Sequence, residues 1–209
     1  MKVTLVDYEI GNILSVARAL EACGADVTLA SDPSQVAGAE RLVVPGVGAF
    51  GDCITTLTAK GFREPILEHA ATGRPFLGIC VGMQMLFDYS EEFGRHDGLG
   101  LIPGHVAEIP RLTDSGQVRK RPHIGWSPLV ARRDWGGTPL AGVEPGTSFY
   151  FVHTFSAIPA DSAHRLADCD YMGYPVSAAV CANNVYGTQF HPEKSGRFGL
   201  DVVKGFMAL

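Results

Sequence analysis

Apolar and polar positions in the first half of the chain switch between two periods. Residues 2–6 are a short apolar run that ends at Asp7 and predicts a strand. Over residues 12–23, Ile13, Val16, Ala17 and Leu20 recur at helical spacing, and Gly24 stops the pattern. Strands are expected over 26–29 and 41–44, the second stopped by Pro45 and Gly46. Helical pieces are expected over 54–57 and 62–71, with Pro65 tolerated only in an early turn of the latter. Residues 75–79 read as a buried strand, with a helix over 81–89 directly after it. Beyond this point the character changes. Residues 98–104 form a glycine-rich turn region, and strands are expected over 106–109, 123–130 and 148–152. Segments 178–182 and 185–190 flank Asn183-Asn184, a hairpin signal, and 198–209 reads as a closing helix. No linker, repeat or low-complexity tract interrupts the chain. The expectation is one α/β domain over 1–209: an open, mostly parallel twisted sheet flanked by helices, with an additional antiparallel sheet segment.

Composition narrows the function classes. At 209 residues, roughly 70% of the unfolded surface can be buried, so no disulfide or metal staple is needed. Hydrophobic residues at 46% and charged residues at 19% exclude a disordered chain or coiled coil. A net charge of -5 argues against a nucleic-acid or anionic-membrane surface. The longest nearly apolar run, residues 76–87, is too short to span a bilayer and contains Gln84. The N-terminus reaches Asp7 without a signal-peptide core. Five scattered cysteines with no C-x-x-C pair suit a reducing cytoplasm and no structural zinc.

The sharpest local signal is Gly78-Ile-Cys80-Val-Gly82, where a strand runs straight into a helix. This is the layout of a nucleophile elbow with sulfur in place of the serine hydroxyl. A helix N-terminus beside Cys80 favours the thiolate, and the Val81 N–H points toward an oxyanion formed at that sulfur. The motif alone fits a buried structural cysteine equally well. A base is offered by His191-Pro192-Glu193. Proline biases His191 toward extended backbone, and in an extended segment positions i and i+2 share a side. Glu193 is then expected beside His191, fixing its tautomer and balancing its charge. Taken alone, that tripeptide is more often a polar turn. The loop Pro45-Gly46-Val47-Gly48-Ala49-Phe50 offers a second oxyanion donor; by itself it is more commonly an ordinary turn.

These stretches carry a resemblance. The elbow with Gln84, together with Gln189-Phe-His191-Pro-Glu193-Lys194-Ser195, resembles class I, triad-type glutamine amidotransferases. Asp7-Tyr8, Gly11-Asn12, the 45–50 loop, Pro122-His-Ile-Gly-Trp126 and Tyr150-Phe-Val-His153-Thr-Phe155 narrow the likeness to the branch of that family serving histidine biosynthesis. It covers essentially the whole chain. The resemblance implies that Cys80 attacks the carboxamide of glutamine, His191 moves the proton and Glu193 orients His191. A thioester is then hydrolysed to glutamate. It assigns Val47, Gly48 and Val81 to the oxyanion, and Gly46, Gln84 and the backbone of His153, Thr154 and Phe155 to the substrate. Ammonia would pass to a separate cyclase subunit, a β/α barrel, in a heterodimer with Asn12, Trp126 and Lys194 at or near the interface. It implies no cofactor or metal, and neither nucleic acid nor membrane as partner. The chain departs from the family pattern at Ser127 (usually Asn), Ser15 (Asn in some relatives), Glu9 (commonly Gly) and Phe155 (frequently Tyr).

Other readings are weaker. Cys23 is expected to end a helix, Cys169 to sit in a polar turn and Cys181 in a strand, none of them catalytic. Cys53 begins a helix near the glycine loop, where partial activation is expected, yet no histidine follows it. His105, His123, His153 and His164 lack zinc-ligand spacing. A self-contained hydrolase on the same fold is the enzymatic alternative. A non-catalytic binding domain is a third, disfavoured because nucleophile, base and orienting acid are all present.

Overall fold

The strand and helix alternation of the N-terminal half becomes the parallel part of a large sheet in the computed structural model, which describes residues 1–209. The first elements are β1 (Lys2–Val6), α1 (Ile13–Ala22), β2 (Asp26–Ala30), β3 (Leu42–Gly46), α2 (Phe50–Ala59), α3 (Arg63–Ala71), β4 (Phe76–Cys80) and α4 (Val81–Gln84). Then follow β5 (Phe87–Ser90), β6 (His96–Asp97), β7 (Ile102–Glu108), β8 (His123–Pro128), β9 (Val130–Ala131), β10 (Ser148–His153) and β11 (Phe155–Pro159). The chain closes with β12 (Arg165–Tyr171), β13 (Tyr174–Ala182), β14 (Val185–Thr188) and α5 (Gly196–Met207).

The main sheet has the order β2-β1-β3-β4-β14-β13-β12-β9. Strands from β2 to β14 pair in parallel, and the last three add antiparallel. Every residue of β3 and β4 is buried, as expected for strands covered on both faces. A pair, β10-β8, and a four-stranded sheet, β11-β7-β5-β6, make up the additional sheets. One contiguous core of 56 buried hydrophobic residues runs from Val3 to Met207 and takes in Phe87, Val106, Phe149 and Phe151, so the smaller sheets share it. No helix is long and apolar enough to cross a membrane.

Register positions the site. Gly46 pairs with Cys80, and Thr188 pairs with Ile79. The C-terminal ends of β3, β4 and β14 therefore lie side by side, where parallel sheets carry their ligands.

Several expectations are corrected. The helix after Cys80 ends at Gln84 rather than at residue 89. The carbonyls of Met85, Leu86, Phe87 and Asp88 are taken by N–H groups of residues 98–102, which draws the chain into β5. Pro45 and Gly46 do not stop β3 but complete it as register partners of Ile79 and Cys80, and the Pro45 carbonyl accepts from the buried Tyr8 Oη at 2.8 Å. The expected turn at 98–104 gives way to β7 from Ile102, and the strand expected over 123–130 breaks at Leu129. Strands β11 and β12 were not expected, and Cys169 lies buried within β12 rather than in a turn. That strand hides a carboxylate, Asp168, which Arg132 and Arg165 pair with. Glu9 has φ 71, a conformation that favours glycine, and its side chain is held 2.6 Å from Lys60 Nζ.

Packing is very tight where α4 approaches β3. A Cβ added at Gly82 would sit 2.0 Å from the Val44 carbonyl oxygen, and that atom belongs to a central strand. Gly82→Ala is therefore expected to destabilise the chain by at least about 3 kcal/mol, measured by urea unfolding. A loss within about 0.5 kcal/mol would show that α4 is not clamped against β3.

Candidate active site

Cys80 ends β4 and caps α4 with φ 55 and ψ -111. A non-glycine residue there carries strain of roughly 1–3 kcal/mol and persists only where its surroundings enforce it. The clamp between Gly82 and Val44 supplies that enforcement. The helix behind Cys80 is a single turn, so its dipole is weaker than the expected nine-residue helix would give.

His191 follows β14 in extended backbone, with φ -98 and ψ 100. Its N–H donates to the Tyr150 carbonyl, and its own carbonyl accepts from Ser195 Oγ at 2.7 Å. Ser195 Oγ also accepts from the Tyr150 N–H, so one hydroxyl ties β10 to the histidine backbone. Glu193 reaches His191 by a different route from the one expected. Residues Pro192–Lys194 form a 3-10 turn rather than an extended run, and the turn brings Glu193 Oε1 to 2.8 Å from His191 Nδ1. Asn12 Nδ2 donates to the same oxygen at 3.3 Å. Burial opposes protonation of His191, yet the neighbouring Cys80 sulfur and the bonded Glu193 carboxylate raise it to about 9. His191 Nε2 is buried and has no hydrogen-bond partner.

A cavity of about 480 Å³ opens over these groups, within the range of small-molecule sites. Its lining includes the predicted residues Asn12, Val47, Gly48, Cys80, Val81, Gln84, His153, Thr154, Phe155, His191 and Lys194. Gly46 lies beneath it as the register partner of Cys80. Trp126 does not line it; it stands 57% exposed on β8, with its ring 6.1 Å from that of Tyr150. The Val47 carbonyl accepts from Cys53 Sγ at 3.3 Å, so the Gly48 N–H, trans across that peptide, points away from Cys53. Gly48 has φ +91 with open space around it, so backbone conformation, not crowding, calls for glycine there. The expected activation of Cys53 is reversed: burial pushes its thiol up to about 11. The carbonyls of Thr154 and Phe155 are already taken, by Ile109 N–H and by His153 and Gln84, leaving Thr154 its N–H. Of the four histidines weighed as zinc ligands, only His123 and His153 meet, while His105 stacks on Tyr89.

Two site residues had no predicted role. Glu92 is the one acidic side chain lining the cavity, and its Oε2 accepts from the Phe50 N–H that starts α2. Gln189 is fully buried and its Nε2 lies 3.7 Å from Cys80 Sγ. A glutamine inside an apolar strand end was the available signal for Gln189, since a buried amide needs partners. Nothing local marked Glu92.

Residues 4–207 match the family described as glutamine amidotransferase class-I. The chain is 49% identical over 210 residues to imidazole glycerol phosphate synthase subunit HisH 1 of Legionella pneumophila (strain Lens), covering 99% of each. It is 47% identical to the corresponding subunit of Syntrophotalea carbinolica over 206 residues, covering 98% of each. Among solved structures, PurLQS from Thermotoga maritima shares the fold with a TM-score of 0.74 at 21% identity, covering 99% of this chain and 97% of that one.

The His191–Glu193 pair has a defined pH signature. The folded value near 9 lies above the ordinary 6.5, so its stabilisation is complete below about pH 6.5 and fades as pH rises through 9. Glu193→Gln removes one of the causes, so its His191 is expected to titrate closer to 6.5, read by NMR of the ring. A value unchanged from about 9 would contradict the role given to Glu193.

Proposed function

The chain belongs to the class-I glutamine amidotransferases, and on that footing we propose that it is the glutaminase subunit of imidazole glycerol phosphate synthase, in histidine biosynthesis. The observation that carries this reading is the junction of a strained Cys80, a basic His191 and a buried Glu193 at the end of one parallel sheet.

Glutamine enters the cavity with its carboxamide over Cys80. Its α-ammonium suits Glu92, the cavity's acidic wall. Cys80 Sγ attacks the carboxamide carbon while His191 Nε2 holds the thiol proton, and the Glu193 carboxylate balances the imidazolium. Val81 N–H and Gly48 N–H receive the oxyanion. His191 returns the proton to the departing nitrogen, which leaves as ammonia and forms a thioester. Water, deprotonated by His191, then releases glutamate.

Ammonia is delivered to a cyclase partner, a β/α barrel bound as a heterodimer. Lys194 at the cavity rim and the exposed Trp126 suit that interface. Asn12 joins it to Glu193. The five cysteines are all free, which suits the cytoplasm. Gly48 lets the 47–48 peptide rotate at little steric cost, and rotation would exchange a donor for a carbonyl at the oxyanion. One such donor is worth about 3–4 kcal/mol, so the partner can govern the rate through this loop.

The test is steady-state glutamine hydrolysis by the chain alone, with the cyclase, and with the cyclase plus its nucleotide ligand. The expected result is slow turnover alone and an increase of roughly a hundred- to a thousandfold in the loaded complex. Cys80→Ala is expected to lose hydrolysis in all three. Equal turnover in the three states would point instead to a self-contained hydrolase.

A further inference from the structure

The chain buries three more histidine side chains that the reaction above does not use, at positions 69, 123 and 153, and two of them meet. His123 on β8 and His153 at the end of β10 are register partners, 2% and 6% exposed. His123 is stacked between Phe151 and Tyr171, with ring centroids 5.1 and 4.1 Å away. Hydrogen bonds join them in a line. Ser127 Oγ lies 2.9 Å from His123 Nε2, His123 Nδ1 lies 3.0 Å from His153 Nε2, and His153 Nδ1 lies 2.8 Å from the Phe155 carbonyl oxygen. That carbonyl also accepts from Gln84 Nε2 at 3.1 Å.

Chemistry gives the line a direction. A carbonyl only accepts, so His153 carries its proton on Nδ1. Burial keeps both rings neutral, pushing His123 down to about 4 and His153 down to about 3. A neutral ring accepts at its other nitrogen, so His123 donates from Nδ1 and the Ser127 hydroxyl donates to His123 Nε2. The Phe155 carbonyl likewise dictates that Gln84 faces it with nitrogen. The Gln84 amide nitrogen also donates to Gln189 Oε1 at 2.9 Å, and Gln189 in turn donates toward Cys80 Sγ. Gln84 Oε1 is left uncommitted in a residue that lines the cavity.

We infer that Ser127, His123 and His153 form a one-way hydrogen-bond chain that holds the Phe155 carbonyl, and through it keeps Gln84 Oε1 toward the cavity as an acceptor that selects a carboxamide over a carboxylate. This rests on glutamine being the substrate. Glutamine offers that oxygen an N–H, whereas glutamate offers only oxygen and is repelled, which aids product release. His123 acts by fixing the tautomer of His153. Without it, His153 is free to carry its proton on Nε2, leaving a bare Nδ1 against the Phe155 carbonyl.

Two measurements test the inference. Nitrogen-15 NMR of histidine-labelled full chain is expected to show both rings neutral and Nδ1-protonated between pH 5 and 8. A charged or Nε2-protonated ring at either position overturns it. The second measurement is protection of Cys80 from iodoacetamide by glutamine and by glutamate, which yields both affinities. His123→Phe keeps the stacking but loses the donor, and the glutamine-to-glutamate affinity ratio is expected to fall about tenfold or more. His123→Asn places an amide N–H where Nδ1 was, and is expected to hold the ratio within about threefold. An unchanged ratio in folded His123→Phe overturns the inference. If His123→Phe fails to fold, the wild-type tautomers decide the matter. Failure of glutamine to protect wild-type Cys80 would sink the substrate assignment and leave the tautomer result standing.

Discussion

The site depends on how closely the first turn of α4 is pressed against β3. Gly82 sits where no side chain fits, over the Val44 carbonyl. Because that turn cannot back away, the chain must leave β4 through a strained residue, and the strain falls on Cys80. The result is a side chain presented at the end of the sheet rather than alternating into one of its faces. Parallel pairing of β4 with β3 and β14 then sets the 45–50 loop on one side and the histidine on the other. The sheet is thus both scaffold and positioning device.

Burial lowers the basicity of every histidine in the site, and partners decide which one escapes. His153 and His191 are both buried. His153 has no carboxylate beside it, so burial pushes it down to about 3 although the Phe155 carbonyl opposes the shift. His191 faces a carboxylate and a sulfur, and its basicity rises in spite of desolvation. The same contrast separates the cysteines. Cys53 is sealed between α2 and the glycine loop with no base beside it, whereas Cys80 shares a cavity with His191. In the proposed reaction the neutral histidines brace the substrate side and the one basic histidine serves the chemistry.

The parallel half was legible in the sequence because each strand and helix there buries its own face with its own period. The meeting of Cys80, His191 and Glu193, the proposed triad, was legible for a related reason: Gly78-x-Cys80-x-Gly82 and His191-Pro-Glu193 each compress a local constraint into a few residues. Where the outcome hangs on distant partners, periodicity failed. Residues 85–88 are apolar enough for a helix, and only the N–H groups of 98–102 turn them into strand. β12 hides Asp168, which reads as a turn residue until Arg132 and Arg165 are known to cover it. Glu193 reached the right neighbour through a 3-10 turn, so the pairing was correct and the geometry behind it was not. The line from Ser127 to Gln189 draws on four separate stretches of chain, and no spacing rule joins them.

The central claim is that the strained Cys80 is the atom that takes the glutamyl group. It is tested most directly by acid-quenching the complex during turnover of isotopically labelled glutamine, then digesting the protein and mapping the bound label. The account predicts label on the peptide carrying Cys80, released by hydroxylamine as a thioester would be. Label on the Cys53 peptide, or ammonia production at full rate with no hydroxylamine-labile label on the chain, would contradict it.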